Sequence, residues 1–411
     1  MSDVPHLRFP EFTGEWEMWK VSDLLDFYST NSLSWEQLEY ETDTMMNLHY
    51  GLIHVGLPTM VDLSKDKLPN IKDGNMPKNY ELCKDGDVAF ADASEDTNEV
   101  AKAVEFSNLN GKDVVCGLHT IHGRDNSDKT VVGFKGYLFS SMAFHHQIRR
   151  IAQGTKIFSI NTRNFAECYV GVPSKEEQTK IATLLRLIDE RIATQNKIIE
   201  KLESLIKGLN DSLYKRYSDG IRTSFAELGH SYSGLSGKSA EDFGTGKPFI
   251  TYLNVYSNNV VNENDYQYVR IDEGERQNPV RYGDVLFTLS SETPEEVGIG
   301  SVYLGSDEVY LNSFCFGIHI VKEELAYPPY LSYYVSSTPF RKFIYPFAQG
   351  STRFNLCKAD FEKANITLPS LDNQKRIHTV LSSITSKIDT EKAILGQHVT
   401  QKQHLLRQMF I

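Results

Sequence analysis

The sequence lacks long apolar runs and clustered cysteines. No stretch of about 18 apolar residues occurs, and residues 1–12 carry acids and prolines where a signal peptide has a basic start and an apolar block. The five cysteines are scattered, with no CxxC spacing and no paired histidines beside them, so the sequence indicates neither a disulfide framework nor a zinc site. We therefore expect a soluble, cytoplasmic protein with reduced cysteines and no bound metal.

Positive charge is also scarce. Lys and Arg number 43 against 54 Asp and Glu, which gives a net charge of −11 at pH 7. This balance argues against a nucleic-acid partner, because phosphate binding depends on Lys and Arg. The distribution is uneven, however, since no acid occurs between Asp128 and Glu167 or between Glu324 and Asp360. Each half of the chain therefore holds one basic window that could form a local binding face.

Signatures of self-contained catalysis are missing. The segment GLSGKS at 234–239 lacks the glycine that a phosphate-binding loop needs five residues before its Gly-Lys pair, where Tyr232 stands. The segment YPPY at 327–330 resembles the Asn/Asp-Pro-Pro-Tyr loop of adenine methyltransferases, but a tyrosine replaces the residue that must accept the amino hydrogens. We interpret YPPY as the start of a helix. Neither nucleotide hydrolysis nor methyl transfer by this chain alone is expected.

One long helix is predicted over residues 174–217. Its apolar residues follow a heptad spacing, which is typical of a helix that lies along a partner helix. The aliphatic heptad positions are Ile181, Leu185, Ile188, Ile192, Ile199, Leu202, Ile206, Leu209 and Leu213. At about 1.5 Å per residue the helix would be on the order of 60 Å long, which is more than one globular domain usually accommodates.

The chain contains an internal duplication with a shift of 196 or 197 residues. Pro-x-x-x-x-Gln recurs before a second predicted helix, and GDVAF and AQGTKIFSI recur as GDVLF and AQGSTRFNL. The second helix repeats four heptad positions as Ile377, Leu381, Ile384 and Ile388. We predict a mixed α/β fold with globular domains at 1–173 and 218–369 and helices at 174–217 and 370–411.

Local patterns predict individual elements. The segment HYGLIHVG alternates well enough for a strand, and 136–151 is expected to be one helix. Asp87 and Asp284 each follow a glycine in a turn, and we expect them to cap backbone amides rather than act as catalytic acids. For His119, His122 and Arg124, which flank another turn, a phosphate contact is left open.

The best candidates for binding are the loops QGTKIF and QGSTRF. Each combines a glycine, a small hydroxyl and a long cation, which are groups that contact phosphates, while Arg and Gln also read base edges. A turn that serves only folding is the alternative. The loops and their flanks supply the candidate DNA-binding residues Arg149, Arg150, Gln153, Thr155, Lys156, Arg163, Arg341, Lys342, Gln349, Ser351, Thr352, Arg353 and Lys358.

In the order of these duplicated motifs, the chain resembles the specificity subunit of type I restriction and modification systems. The resemblance rests on LRFPEFTGEW near the start, the paired GDV and AQG segments, and PSKEEQTKIATLLRLIDERI with PSLDNQKRIHTVLSSITSKI. It implies two target recognition domains, each reading one half of a split, asymmetric site in double-stranded DNA. It also implies two long antiparallel coiled-coil helices that separate the domains and dock two modification subunits.

The resemblance further implies a bacterial, cytoplasmic chain that is not an enzyme and binds no cofactor. Adenine methylation with S-adenosylmethionine would belong to the modification subunits. Translocation and cleavage with ATP and Mg would belong to the restriction subunits. A protein-interaction adaptor without direct DNA reading is the alternative, and the net charge of −11 supports it.

The second helix departs from the heptad pattern in its C-terminal half. It places Glu391, His398 and Lys402 at heptad positions, so full-length apolar pairing with the first helix is not expected. We therefore expect the aliphatic residues from Leu202 to Leu213 to face another subunit.

Overall fold

A computed structural model describes residues 4–217 and 220–411. Residues 1–3 and 218–219, which begin the two predicted globular domains, lie outside this description. The chain forms two compact units, the first comprising Met1–Asn196 with Ala393–Ile411 and the second Lys197–Lys392. The boundary between the units therefore falls within both long helices. The four domain segments predicted from the sequence stay a prediction.

The helices account for both predicted long segments. None of those in the described ranges combines the length and hydrophobicity that a membrane-spanning segment requires. The α-helices of the described residues are α1 (Val21–Leu24), α2 (Tyr50–His54), α3 (Lys135–Phe139), α4 (Met142–Ile151), α5 (Thr162–Ala166), α6 (Lys175–Arg216), α7 (Phe225–Leu228), α8 (Tyr252–Ser257), α9 (Pro328–Ser336), α10 (Thr338–Ile344), α11 (Lys358–Lys363) and α12 (Leu371–Gln408).

The strands are short and numerous in both units. The first unit contains β1 (Glu17–Lys20), β2 (Asp26–Tyr28), β3 (Leu38–Glu39), β4 (Met46–Leu48), β5 (Met60–Asp62), β6 (Asn70–Ile71), β7 (Val88–Ala91), β8 (Ala93–Ser94), β9 (Ala103–Asn108), β10 (Val114–Cys116), β11 (Thr120–Arg124), β12 (Phe158–Ser159) and β13 (Tyr169–Val172). The second contains β14 (Ile221–Thr223), β15 (Gly229–Ser233), β16 (Phe243–Ile250), β17 (Tyr266–Val269), β18 (Pro279–Val280), β19 (Val285–Thr288), β20 (Ser290–Ser291), β21 (Gly300–Val302), β22 (Val309–Leu311), β23 (Cys315–Ile320), β24 (Ala348–Gln349), β25 (Phe354–Leu356) and β26 (Ile366–Leu368).

The sheet order repeats between the units. One sheet runs β2-β11-β7-β9-β5 in the first unit and β15-β23-β19-β21 in the second. A further sheet in each unit contains one parallel pair, β4 with β10 and β16 with β22. The GDV turns lead directly into β7 and β19, whose residues are all buried. The predicted mixed α/β fold with an internal repeat is therefore confirmed.

Gln178 fastens the first turn of α6 to the first unit. Its side chain is fully buried. The Nε2 atom donates to the carbonyl oxygens of Pro173 at 2.8 Å and Lys129 at 3.0 Å, and Oε1 accepts from the Val131 N–H at 2.9 Å. Three backbone groups that would otherwise be unpaired are therefore satisfied by one side chain.

Gln374 does the same at the start of α12 in the second unit. Its Nε2 donates to the carbonyl oxygens of Pro369 at 2.8 Å and Leu325 at 2.7 Å, and its Oε1 accepts from the Tyr327 N–H at 2.8 Å. The repeated Pro-x-x-x-x-Gln motif is therefore a fastening between each long helix and the globular part that precedes it.

The two long helices pair antiparallel within each unit. In the first unit, Lys402 Nζ of α12 lies 2.7 Å from Asp189 Oδ1 of α6. In the second unit, Lys392 Nζ of α12 lies 2.8 Å from Glu203 Oε1 of α6. The core of the first unit includes Ile181, Leu185, Ile188, Leu405, Met409 and Phe410, and that of the second includes Ile377 and Leu381. Ile199 and Ile388 are also buried, whereas Ile192, Leu202 and Ile384 are half-buried.

The prediction that the C-terminal part of α6 faces another subunit is wrong for Ile206, Leu209 and Leu213. These side chains pack against the core of the second unit. In an antiparallel pair the C-terminal half of α6 meets the N-terminal half of α12, which is the apolar half. The heptad residues of α6 are therefore mainly pairing residues of the protein's own units.

The predicted strand over HYGLIHVG is wrong, because this segment forms α2. His49 caps the helix, since its Nδ1 accepts from the Gly51 N–H at 3.1 Å. A helix of five residues is too short to display a helical period in the sequence.

Of two other helix predictions, one is corrected and one is confirmed. The predicted helix over 136–151 is divided into α3 and α4 by a new N-cap, because Ser141 Oγ accepts from the Phe144 N–H at 3.3 Å. The interpretation of YPPY as a helix start is confirmed, since α9 begins at Pro328.

Candidate nucleic-acid interface

The two candidate loops are tight hairpins with exposed tips. In the first, Gln153 and Ser159 exchange backbone hydrogen bonds of 2.9 and 2.8 Å, and in the second β24 pairs with β25. Gly154 and Gly350 adopt φ angles of +141° and +146°. A Cβ on Gly154 would lie 1.9 Å from the Ile157 carbonyl oxygen. The glycines therefore allow the reversal that presents the loop side chains.

The predicted DNA-binding residues differ in exposure. Arg149, Arg341 and Lys358 are half-buried. Arg149 donates to Asn98 Oδ1 at 2.9 Å, and Lys358 Nζ lies 3.7 Å from Glu362 Oε1. The exposed residues are Arg150, Gln153, Thr155, Lys156, Arg163, Lys342, Gln349, Ser351, Thr352 and Arg353.

Arg341 is turned into its own unit. Its guanidinium donates to the carbonyl oxygens of Gly298, Glu295 at 2.8 Å and Val297 at 2.7 Å. Burial lowers the pKa of Arg341 to about 10. Because these three carbonyl groups occupy its donors, we leave Arg341 out of the interface proposed below.

Strand pairing brings acids close to loops that lie in acid-free windows of the sequence. β8, which Asp92 precedes and Glu95 follows, pairs with β12 beside the first loop. β20 pairs with β25 beside the second loop. Arg353, Glu292 and Glu296 line one cavity of about 340 Å³. These carboxylates add acceptors that suit the amino group of cytosine.

Aromatic side chains of the short helix α8 line the same cavity. The rings of Tyr252 and Tyr256 stack with centroids 6.0 Å apart. Tyr256 donates to Glu296 at 2.6 Å, and this hydrogen bond raises the pKa of the tyrosine. The Arg353 guanidinium lies 5.7 Å from the centroid of Phe314, which also lines the cavity. Apolar rings and carboxylates that converge on one cavity are groups able to read base edges, and the cation beside them can contact a phosphate.

In the first unit, α2 occupies the position that α8 occupies in the second unit. Both helices contact the central strand of their sheet, β7 or β19. The rings of Trp35 and His49 have centroids 4.4 Å apart, and His54 Nε2 lies 2.9 Å from the Ala93 carbonyl oxygen. The N-caps His49 and Thr251 align at a shift of 202 residues, which differs from that of the main repeat. The different shift obscures the correspondence of the two helices in the sequence, although the tyrosine after each N-cap is a usable signal.

Asp87 fulfils its predicted capping role and also anchors buried side chains. Its carboxylate accepts from the Lys84 N–H at 2.9 Å, from His122 Nε2 at 2.7 Å and from Arg124 Nε and Nη2 at 2.8 Å each. Burial raises the pKa of Asp87, but hydrogen bonds from His122 and Arg124 outweigh it and hold the pKa below its ordinary value. A phosphate contact by His122 and Arg124 is excluded, because both are buried and already paired. For the exposed His119 such a contact stays open.

Asp284 has the same capping role with different partners. It accepts from the Arg281 N–H at 2.8 Å, from the Tyr232 hydroxyl at 2.7 Å and from His319 Nδ1 at 2.8 Å. By strand register, His319 occupies the position that Arg124 holds in the first unit. Burial raises the pKa of Asp284 above its ordinary value, since the hydrogen bonds offset only part of the effect of burial.

Comparison with known families places the chain. Residues 108–204 and 235–397, more than half of the chain, match the Type I restriction modification DNA specificity domain. The chain belongs to this family. The resemblance recognised in the duplicated motifs is thereby confirmed.

Individual members of the specificity family are distant. The type I restriction enzyme StySPI specificity subunit of Salmonella potsdam is 28% identical over 114 residues, which is 28% of this chain and 24% of that subunit. The match therefore spans about a quarter of that relative.

Two solved structures share the fold. The S subunit of the type I system of M. genitalium covers 99% of both chains with a TM-score of 0.55 and 14% identity. A structure on complex assembly and conformational transition of the type I R-M system covers 95% of this chain and 96% of its own, with a TM-score of 0.60 and 15% identity. At such identities the likeness concerns the fold alone.

Proposed function

We propose that this chain is the DNA-reading subunit of a type I restriction–modification enzyme. Each globular domain reads one half of a bipartite, asymmetric site in double-stranded DNA. The observation that carries the proposal is the pair of exposed glycine hairpins, each beside a short helix of different composition. One scaffold that presents Tyr50 and His54 in one unit and Tyr252 and Tyr256 in the other suits two unlike half-sites.

Replacing Lys156 or Arg353 with alanine should weaken DNA binding about tenfold, because each removes a charged hydrogen-bond donor. The loss should be similar for all sequences, and the slope of log affinity against log salt should fall by about 1. Fluorescence anisotropy with labelled duplexes at several salt concentrations measures both quantities.

The matched control is Lys322→Ala. Lys322 is exposed and lies beyond the end of β23 opposite to Phe314, about 20 Å away along the strand. It should leave affinity and salt slope unchanged. If the Lys156 and Arg353 variants behaved like this control, both loops would be reduced to elements of the fold.

The function itself is tested by mapping methylated adenines in cells that express the chain with its cognate modification subunit. A split adenine motif is expected. Replacement of Tyr252 by alanine should then change one half of the motif and leave the other half intact. Unmodified DNA would favour the adaptor, which the net charge of −11 and the acids beside the loops support.

The two long helices set the spacing of the half-sites and dock the modification subunits in this proposal. Their paired faces are buried, so docking needs other residues. Ile198 and Leu205 remain 37% and 48% exposed on α6. They are seven residues apart and therefore lie on one face of the helix, where they suit an apolar patch of a modification subunit.

Replacing Ile198 and Leu205 together with glutamate should abolish co-purification with the modification subunit, because it charges an apolar contact. The chain itself should keep its circular dichroism spectrum, since both side chains are exposed. The control Val321→Glu alters a residue that is 55% exposed in the globular part and should preserve the complex. Intact assembly of the double variant would refute docking at this face.

Catalysis belongs to the other subunits in this proposal. The modification subunits bind S-adenosylmethionine and methylate adenine, and the restriction subunits use ATP and Mg. The support from this chain is that its sequence lacks the signatures of a phosphate-binding loop and of an adenine methyltransferase. Methyl transfer to DNA should therefore require a modification subunit in addition to this chain.

A further inference from the structure

A buried cluster in the first unit unites three side chains that are distant in sequence. The Sγ atoms of Cys83 and Cys116 lie 3.6 Å apart. One ring nitrogen of His122 joins them, and all three ligand atoms lie within 4.8 Å of one another. All three residues are buried, and His122 is completely so. Cys116 ends β10, His122 lies in β11, and the Cys83 N–H donates to the Val114 carbonyl oxygen at 2.8 Å.

The two nitrogens of His122 have unequal surroundings. Nε2 lies 2.7 Å from Asp87 Oδ2, whereas Nδ1 is buried and has no hydrogen-bond partner among residues 4–217 and 220–411. A neutral imidazole that donates its Nε2–H to a carboxylate presents a lone pair at Nδ1. A carboxylate behind the ring is the arrangement that commonly orients metal-ligating histidines.

We propose that Cys83, Cys116 and His122 bind one zinc ion. At a Zn–S distance of about 2.3 Å, tetrahedral geometry puts two sulfurs about 3.8 Å apart, which is close to the 3.6 Å observed. Two thiolates neutralise Zn²⁺, while Asp87 is already balanced by Arg124 at 2.8 Å, so no buried charge is left over. Three protein ligands leave the fourth zinc position to a further ligand such as water.

The second unit shows that the scaffold does not need thiols at the positions of Cys83 and Cys116. By strand register, Cys83 corresponds to Val280, and Cys116 corresponds to Leu311. His122 corresponds to Gly317, whose missing Cβ leaves room for the ring of Tyr232. Apolar carbon fills the places of the two thiols in the second unit, whereas the Tyr232 hydroxyl replaces His122 as a donor to the aspartate, at 2.7 Å from Asp284. The pair of buried thiols beside His122 is therefore a departure from the repeat that packing alone does not require.

The sequence does not reveal this site, because the three ligands follow no zinc-ligand spacing and only the fold brings them together. The site is separate from the hairpins proposed to contact DNA, and its existence does not depend on the proposed function. Its expected role is structural, since metal binding to ligands from separate strands stabilises the folded state over the unfolded one.

The test is the metal content of the full-length chain, purified under reducing conditions from zinc-containing medium. Inductively coupled plasma mass spectrometry should find one zinc ion per chain. After exchange with cobalt(II), the protein should show thiolate-to-cobalt charge-transfer absorption. The variant Cys83→Val with Cys116→Leu copies the packing of the second unit and should lose both signals. The control Cys315→Val removes a buried thiol of the second unit and should keep them.

A second measurement needs no variant. Removal of zinc from the wild-type chain with a strong chelator should lower Tm, and added zinc should restore it with saturation at one equivalent. Wild-type chain that neither contains zinc nor binds added zinc or cobalt would overturn the proposal. A double variant that retained one zinc ion would overturn it as well, because the metal would then lie elsewhere.

Discussion

Replacing Gln374 with leucine should lower the free energy of unfolding by about 3–5 kcal/mol. Leucine fills a similar volume but leaves the carbonyl groups of Pro369 and Leu325 and the N–H of Tyr327 without their partner. Each buried group without a hydrogen bond costs about 1–3 kcal/mol. Chemical denaturation followed by circular dichroism measures the total, and hydrogen exchange of α9 reports on the second unit alone.

The duplication supplies the comparison for this experiment. Gln178→Leu should have an effect of the same size, with the loss of protection in the first unit. Gln401→Leu changes an exposed glutamine of α12 and should stay within about 0.5 kcal/mol of the wild type. A loss below about 1 kcal/mol for Gln374→Leu would contradict the fastening role, because it would mean that water or backbone adjustment replaces the three bonds.

The exchange Asp87→Asn should destabilise the protein by about 3–5 kcal/mol, whereas Asp284→Asn should cost about 1–2 kcal/mol. A neutral amide at position 87 keeps one acceptor oxygen but removes the negative charge, so Arg124 retains Glu81 as its carboxylate partner and loses the buried one. The second unit has no buried arginine at the equivalent position, so only hydrogen bonds are weakened there.

A double variant separates the charge effect from the hydrogen bonds. Asp87→Asn with Arg124→Leu removes both members of the pair and should recover part of the stability lost in Asp87→Asn. Denaturant titrations of the single and double variants give the coupling energy. Equal losses for Asp87→Asn and Asp284→Asn would show that Arg124 finds sufficient compensation elsewhere.

The features that the sequence predicts well depend on local order along the chain. The heptads of α6, the GDV turns before β7 and β19, and the glycine hairpins each lie within one continuous stretch. Their duplication at a nearly constant shift gave the two-domain organisation before any contact was known. The two Pro-x-x-x-x-Gln motifs are visible in the sequence only as a repeated spacing. Their fastening role is not, since the glutamines bond to backbone groups about 50 residues away in the sequence.

The features that the sequence does not predict depend on which distant segments meet. The acids near Arg353 come from a strand pairing between β20 and β25. The inward turn of Arg341 depends on three carbonyl groups of one loop. The expectation that the C-terminal end of α6 faces another subunit fails because it compares that end with the polar half of α12. The antiparallel pairing brings it against the apolar half instead. In each case the sequence shows which residues are present, but not which of them are neighbours in space.

The division of the long helices between the units has a consequence for synthesis. The core of the first unit includes Leu405, Met409 and Phe410, which are translated only after residues 197–392 of the second unit. At about 5–20 residues per second, the intervening residues 197–392 take about 10–40 s to make. During that time the apolar face of Ile181, Leu185 and Ile188 waits without the C-terminal segment that covers it. Truncation before Leu405 would therefore damage the half of the protein that was translated first.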